Sequence, residues 1–153
     1  MSNVVAFQPR ITAMSKQAIA NVRALEAISK TVEQIRIETI HAIHGGMYAR
    51  TILLPAGTVL TGAHVNVPTM VIVNGDATVY ANEESYRFQG HHVLPASAGR
   101  KQAYVAHENT WITMVYATAA TTVEEAENEL PDEPEILMSR QPGAVNHTII
   151  TGE

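Results

Sequence analysis

Short apolar runs, each followed by a turn signal, occupy the middle of the chain from about residue 44 to residue 117. The runs are 47–54, 59–67, 69–73, 77–81, 86–88, 93–94, 103–106 and 111–117. Turn signals about every 8 to 12 residues are typical of a β-sandwich or β-barrel. No interval between the runs is long enough for a helical crossover, so we expect antiparallel pairing. This region therefore predicts one small, mainly β domain.

One dipeptide in this region carries a specific turn prediction. Asn74-Gly75 lies between two runs rich in β-branched residues, and Asn-Gly in that setting is a strong hairpin signal. We expect residues 77–81 to pair back on residues 69–73 across this turn. Glu83-Glu84 is interpreted as a solvated hairpin tip further along the chain.

The composition is that of a folded, acidic chain. With 153 residues, 46% of them hydrophobic, the chain is long enough for one domain with flanking segments. The absence of cysteine excludes disulfides and thiolate metal sites. The net charge of −5 and the scattered Lys and Arg residues argue against a nucleic-acid partner. We find no leader-like start and no apolar stretch of membrane length, so we expect a soluble protein made in a cytoplasm.

The segment before the β region predicts an amphipathic helix. Ser15 is a suitable N-cap, and apolar residues then recur at helical spacing, which favours a helix over about 16–34 within a helical segment 15–37. The stripe consists of Ile19, Val22, Leu25, Ile28, Val32 and Ile35. It serves either to pack the helix on its own domain or as a seam between copies of the chain. Residues 1–14 are interpreted as an N-terminal arm.

Two further segments leave alternatives open. Residues 35–43 alternate in the manner of a strand, although a helix continuing to His41 also fits. Residues 119–153 form an acidic C-terminal segment, in which residues 121–127, beginning with Thr121-Thr122, cap and open a short helix that Pro131 and Pro134 end. The remainder is interpreted as an extended tail, either disordered or held by neighbouring subunits.

The order of strands and turns, with a barrel over residues 38–118, resembles the cupin superfamily, whose two motifs place three His and one Glu as metal ligands in a β-barrel. The glycines and the proline that make the turns match at Gly75, Gly90 and Pro95. The four metal-ligand positions fall at Gly62, His64, Pro68 and Arg100. In the second motif, the glycine of its Pro-x-Gly turn falls at Ser97 and its asparagine falls at Tyr104. The resemblance thus implies a cupin or jelly-roll antiparallel β-barrel that keeps one of four metal ligands.

The chain also resembles a group of small cupin-like proteins encoded by tailed bacteriophages. The segments that carry this resemblance are 44–51, 55–58, 94–103 and 122–127. It spans roughly residues 38–140 and implies no particular activity. The N-terminal helix lies outside it.

Two groups of residues are candidates for binding. His44 and His64, with His91 or His92, would form an improvised metal site if the strands brought them together; otherwise they are surface or hydrogen-bonded histidines. Arg50, Arg100 and Lys101 are interpreted either as contacts for an anion or acidic neighbour, or as members of structural salt bridges. Trp111, Met114 and Tyr116 are assigned to the core.

The first functional hypothesis is a non-enzymatic structural or interaction protein of a tailed phage. It would be virion-associated, as a capsid decoration or a head or tail accessory, homo-oligomeric and bound to other phage structural proteins, with no cofactor, and made in the bacterial host cytoplasm. The alternative is a metal-dependent cupin enzyme or small-molecule binder with shifted His ligands. A third hypothesis is a host-directed accessory protein made during infection.

Overall fold

Eight strands form one curled sheet in the computed structural model, which describes residues 10–153. The strands are β1 (Thr39–His44), β2 (Met47–Leu54), β3 (Val59–Thr61), β4 (Thr69–Ala81), β5 (Glu84–Ala96), β6 (Ala103–Ala106), β7 (Thr110–Ala117) and β8 (Asn146–Ile150). The helices are α1 (Lys16–Ser29) and α2 (Val123–Glu129), with 3₁₀ turns at Pro134–Ile136 and Met138–Arg140. The strand order is β3-β6-β4-β7-β2-β1-β8, and β5 pairs with β4. The prediction of a mainly β, barrel-like fold is confirmed.

β4 is one continuous strand, so the predicted hairpin at Asn74-Gly75 is wrong. Its first half pairs with β7 over Met70–Asn74, and its second half pairs with β6 over 77–80. Gly75 lies at the change of partner with φ +148°, and a Cβ there would lie 2.8 Å from the Thr110 Cα. The Asn-Gly pair therefore marks a close approach of two backbones inside the sheet.

The hairpin between β4 and β5 turns instead at Asn82 and Glu83. Both residues have positive φ, 49° and 71°, as a two-residue hairpin turn of this kind requires. The interpretation of the Glu83 region as a hairpin tip is thus confirmed. Thirteen residue pairs in continuous register join β4 to β5.

The core follows the period-two alternation of the strands. Its largest cluster includes Ile52, Leu54, Val71, Val73, Val79, Leu94, Tyr104 and Ile112. A second cluster joins Tyr48 and Tyr116 to Leu130 from the C-terminal segment. Trp111 was assigned wrongly to the core: because its neighbour Ile112 points inward, Trp111 points outward and is 42% exposed.

α1 begins where its cap predicts, with the Ser15 hydroxyl accepting from the Ala18 N–H at 3.1 Å. It ends at Ser29, so the predicted range to residue 34 is too long; the Gln34 side chain donates to the Ser29 and Val32 carbonyls in the irregular linker that follows. The linker runs to residue 38, and β1 begins at Thr39, which excludes a helix continuing to His41.

The apolar stripe of α1 divides between two environments. Ile19 and Val22 pack against β6 and β4, and Val22 is 1% exposed. Val22 is therefore occupied by its own domain and is not free to join a seam. Leu25, Ile28, Val32 and Ile35 are exposed, and the last two lie beyond the helix.

Both flanking segments are held by the barrel of the same chain. In the N-terminal arm, of which residues 1–9 lie outside the described residues, Ile11 donates its N–H to the Pro95 carbonyl at 2.9 Å beside β5. Thr122 caps α2 as predicted. The chain then crosses the barrel and adds β8 in parallel to β1, which departs from the all-antiparallel expectation.

No helix within residues 10–153 is long and apolar enough to cross a bilayer.

Candidate binding cavity inside the barrel

The four histidines named as an improvised metal site do not come together. His44 hydrogen-bonds Thr151, His64 hydrogen-bonds Asp132, and His92 contacts the Gln89 carbonyl, whereas His91 is exposed on β5. Between residues 10 and 153 there is no group of three His, Asp or Glu residues arranged to hold a metal ion. Of the two interpretations of these histidines, the strands do not bring them together as the improvised site would require.

Arg50 belongs to a buried ion-pair cluster under α2. Its guanidinium donates to Glu127 Oε2 at 2.5 Å and to Ser139 Oγ at 2.9 Å. Arg140 donates to the other Glu127 oxygen at 3.1 Å. Burial alone would raise the pKa of Glu127, but the Ser139 hydrogen bond and the Arg50 charge outweigh it and lower that pKa. Of the two interpretations of Arg50, the structural salt bridge is the one formed.

Lys101 is likewise a structural residue. It is buried, and its ammonium group donates to Glu26 Oε2 and to the Gly62 carbonyl, both at 2.8 Å. Glu26 lies on α1, so this pair fastens the helix to the mouth of the barrel. The Lys101 charge is neutralised within the chain.

Arg100 differs from both because it is fully buried and has only neutral partners. Its guanidinium donates to Gln102 Oε1 at 3.1 Å, to the Ser97 carbonyl at 2.7 Å and to Thr69 Oγ1 at 2.7 Å. No carboxylate among residues 10–153 pairs with it, and residues 1–9 contain no Asp or Glu. Burial lowers the pKa of Arg100 because it disfavours the charged form.

Arg50 and Arg100, but not Lys101, line a cavity of about 130 Å³ inside the barrel. Arg100 and Gln102 precede β6 in the chain, and Tyr104 lies on β6. The period of two of an extended chain places all three side chains on the same face. Apolar walls come from Ile52, Leu60, Ile112 and Met114, and the cover consists of Glu26, Leu130, Leu137 and Met138. The C-terminal segment thus covers part of the opening of a largely apolar cavity.

Gln102 is the residue that sequence reasoning missed. Its Oε1 accepts from Arg100 and from the Tyr104 hydroxyl, which fixes the amide orientation. Its Nε2 is then buried with no partner. The signal was present in the alternation Arg100-x-Gln102-x-Tyr104, which indicates three polar side chains on one buried face.

The comparisons with known proteins bear on the fold alone. No protein-family model matches the chain, and no curated protein matches it. Among solved structures, ectoine synthase from P. lautus superposes with a TM-score of 0.50 at 15% identity, covering 64% of this chain and 75% of that one. A cupin superfamily protein from Desulfitobacterium hafniense gives 0.47 at 12% identity, covering 60% and 87%. At these identities the likeness shows the fold alone, a mainly β, barrel-like fold shared with ectoine synthase, and cupin superfamily proteins are among the other neighbours.

The metal typical of this fold does not suit the residues present. The second-motif histidine position is Arg100, a permanent cation, and the carboxylate position is Pro68. His64, the one ligand retained, does not line the cavity and bonds Asp132 outside it. This cavity presents hydrogen-bond donors where a metal would need lone pairs.

Proposed function

We propose that this chain is a non-enzymatic interaction protein that assembles with copies of itself as part of a tailed-phage particle. One observation supports self-assembly above the others, namely an apolar patch on the outward side of the sheet. We call outer face the following part of that side, drawn from six strands; the Asp76–Arg87 ion pair lies on the same side just beyond it. Its members are Ile40, Ala42, Ala49, Thr51, Leu53, Met70, Ile72, Asn74, His91, Val93, Pro95, Trp111, Thr113, Val115 and Ile149.

The outer face is continuous across the sheet. One row of paired residues runs from Val93 through Ile72, Thr113 and Thr51 to Ile40. At about 4.8 Å between strands, such a row is roughly 19 Å wide. The hydroxyls of Thr51 and Thr113 hydrogen-bond each other at 2.8 Å, so they are partly satisfied within the face.

Exposure on this face is high for apolar residues. Met70, Val93 and Trp111 are 41%, 47% and 42% exposed, and Ile149 on β8 extends the patch. Contiguous apolar patches of this kind are uncommon on monomeric proteins and mark interaction sites. The core of an interface is also where charged residues are depleted and aromatic residues are enriched.

A second copy of the chain is the occupant that the charges favour. Each copy has a net charge of −5, and the outer face as defined contains no Asp, Glu, Lys or Arg. The Asp76 and Arg87 charges next to it neutralise each other in an ion pair at 2.8 Å. Two like-charged copies therefore meet here without direct repulsion. A two-fold symmetric contact uses the same patch on both copies, which suits a self-complementary apolar face.

The predicted α1 seam stays a separate prediction. Leu25, Ile28, Val32 and Ile35 are exposed in the single chain and offer a smaller apolar strip. The location in a virion, with other phage structural proteins as partners, is supported by the resemblance to small phage cupin-like proteins. Mass spectrometry of purified particles tests it, and absence of the chain from them would refute it.

Light scattering on the full chain tests self-assembly. We expect the wild-type protein to be an oligomer and Val93→Glu to be a monomer, because the substitution buries a charge in an apolar interface. Val105→Glu is the matched control, since Val105 is an exposed valine on β6 outside the outer face. It should leave the mass unchanged.

Two outcomes contradict the proposal. A monomeric wild-type protein removes self-assembly altogether. An oligomer that survives Val93→Glu but dissociates on Ile28→Glu places the contact on α1 and not on the outer face.

A further inference from the structure

The cavity inside the barrel contains a positive charge without a counter-ion. Arg100 is fully buried, and its four hydrogen bonds end on the Ser97 carbonyl, the Thr69 hydroxyl, the Gln102 amide oxygen and the Met114 sulfur. A guanidinium has five N–H donors, so one N–H of Nη1 remains available. An uncompensated buried charge is costly, and an anion in the cavity would offset that cost.

The other charged groups that line the cavity are already neutralised. Glu26 bonds the Lys101 ammonium group at 2.8 Å, so its repulsion of an anion is reduced. Arg50 is paired with Glu127 at 2.5 Å. Arg100 is therefore the charge that the cavity leaves uncompensated.

Gln102 adds a second, independent donor. Its side-chain Nε2 is buried without a partner among residues 10–153, and the residue lines the same cavity as Arg100. Buried amide donors are normally satisfied, so this Nε2 indicates a missing acceptor. Two donors and one positive charge in the lining of one cavity match the two oxygens of a carboxylate.

The remaining walls define the rest of the ligand. Ile52, Leu60, Ile112 and Met114 are apolar, and the volume is about 130 Å³. For scale, an apolar cavity of about 150 Å³ accommodates benzene. The ligand is therefore a molecule of roughly six non-hydrogen atoms with one polar end.

We propose that the barrel binds a small monocarboxylate with a short apolar chain, its carboxylate on Arg100 and Gln102 and its chain against Ile112 and Met114. This site is independent of the outer face and of self-assembly.

Calorimetry on the full chain tests the site with sodium butyrate as the probe and butyramide as its neutral match. We expect butyrate to bind at least about tenfold more tightly than butyramide, because hydrogen bonds to charged groups are the stronger kind. Gln102→Glu should abolish butyrate binding, since it supplies an internal carboxylate to Arg100. The control Gln17→Glu makes the same change at an exposed position on α1 and should leave binding unchanged.

A second variant keeps the test valid if Gln102→Glu fails to fold. Leu60→Phe fills the cavity from β3 and leaves Arg100 and Gln102 in place, so butyrate binding should be lost. Absence of butyrate binding to the wild-type chain, equal binding of butyrate and butyramide, or unchanged binding in a folded variant of either kind overturns the proposal.

Discussion

Gly75 shows how one residue sets the course of a strand. At this position β4 leaves β7 and joins β6, and the backbone of Asn109 and Thr110 crosses at close range. A methyl group would lie 2.8 Å from both the Asn109 oxygen and the Thr110 Cα, and neither is a flexible side-chain end. The residue is therefore required by packing as well as by its positive φ.

We expect Gly75→Ala to lower the free energy of unfolding by about 2–3 kcal/mol. Two costs add: the new methyl group is forced against the backbone of residues 109 and 110, and alanine is strained at a positive φ. Urea unfolding measures this. Gly90→Ala is the control, because Gly90 pairs with Gly75, has φ +86° and has no heavy atom within 4 Å of the added Cβ. It should cost about 1–2 kcal/mol from backbone strain alone. Equal losses in the two variants would show that the contact with residues 109 and 110 is unimportant.

At the scale of the elements, α2 and the segment after it are docked on the barrel by one buried carboxylate. Glu127 accepts from Arg50 on β2, from Arg140 beyond the helix and from Ser139. Leu130 inserts beside Tyr48 and Tyr116, and the Tyr116 hydroxyl donates to the Ala126 carbonyl at 2.5 Å. The C-terminal segment is thus part of the barrel's own core.

Glu127→Gln should destabilise the fold by about 3–5 kcal/mol, because it leaves the Arg50 charge buried and unpaired. Denaturant unfolding gives the value, and limited proteolysis should show earlier cleavage after residue 118. Glu124→Gln, an exposed change in the first turn of α2, should cost under about 1 kcal/mol. A small effect of Glu127→Gln would mean that α2 is held by its apolar contacts.

At the scale of the whole molecule, one network joins β1, β2, β8 and the 3₁₀ turn Met138–Arg140. The Asn146 amide donates to the Ser139 carbonyl, which leaves its oxygen to accept from His41 Nε2 at 2.7 Å. His41 Nδ1 then accepts from the Tyr48 hydroxyl at 2.6 Å. Both ring nitrogens are satisfied only when His41 is neutral, and burial lowers the pKa of His41 below its usual 6.5.

This network predicts acid sensitivity of the folded state. The pKa of His41 is lower in the folded chain than in the unfolded chain, so the unfolded chain takes up the proton at a higher pH. The contribution of neutral His41 to the free energy of unfolding is therefore fully present above about pH 6.5. It is lost as the pH falls from there towards the lower pKa of the folded state. We expect the melting temperature to fall between about pH 6.5 and 5, a range above the lowered pKa of Glu127. His41→Gln should show a smaller fall in calorimetric scans, whereas the exposed His91→Gln should behave as wild type. A melting temperature independent of pH in this range contradicts the argument.

Local patterns predicted most of the fold. The apolar runs gave the strands, Ser15 and Thr122 gave the helix starts, and the turn glycines with Pro95 resembled a cupin barrel, which the tertiary arrangement confirms. The exclusion of Trp111 from the core was missed because an alternating run does not say which of its two faces is buried. The hairpin was misplaced because Asn-Gly permits a close backbone approach as readily as a turn.

The amino-acid sequence alone determined what depends on neighbours within a few residues: helix caps, strand periodicity, the absence of metal-ligating side chains at Gly62, Pro68 and Arg100, and the acidic charge. Only the tertiary structure decided what depends on residues far apart in the chain. His41 meets Asn146, Arg50 meets Glu127, and Arg100 remains without a counter-ion. The reason is physical: a side chain's local pattern sets its direction, but its partner and its burial depend on which distant strand packs against it.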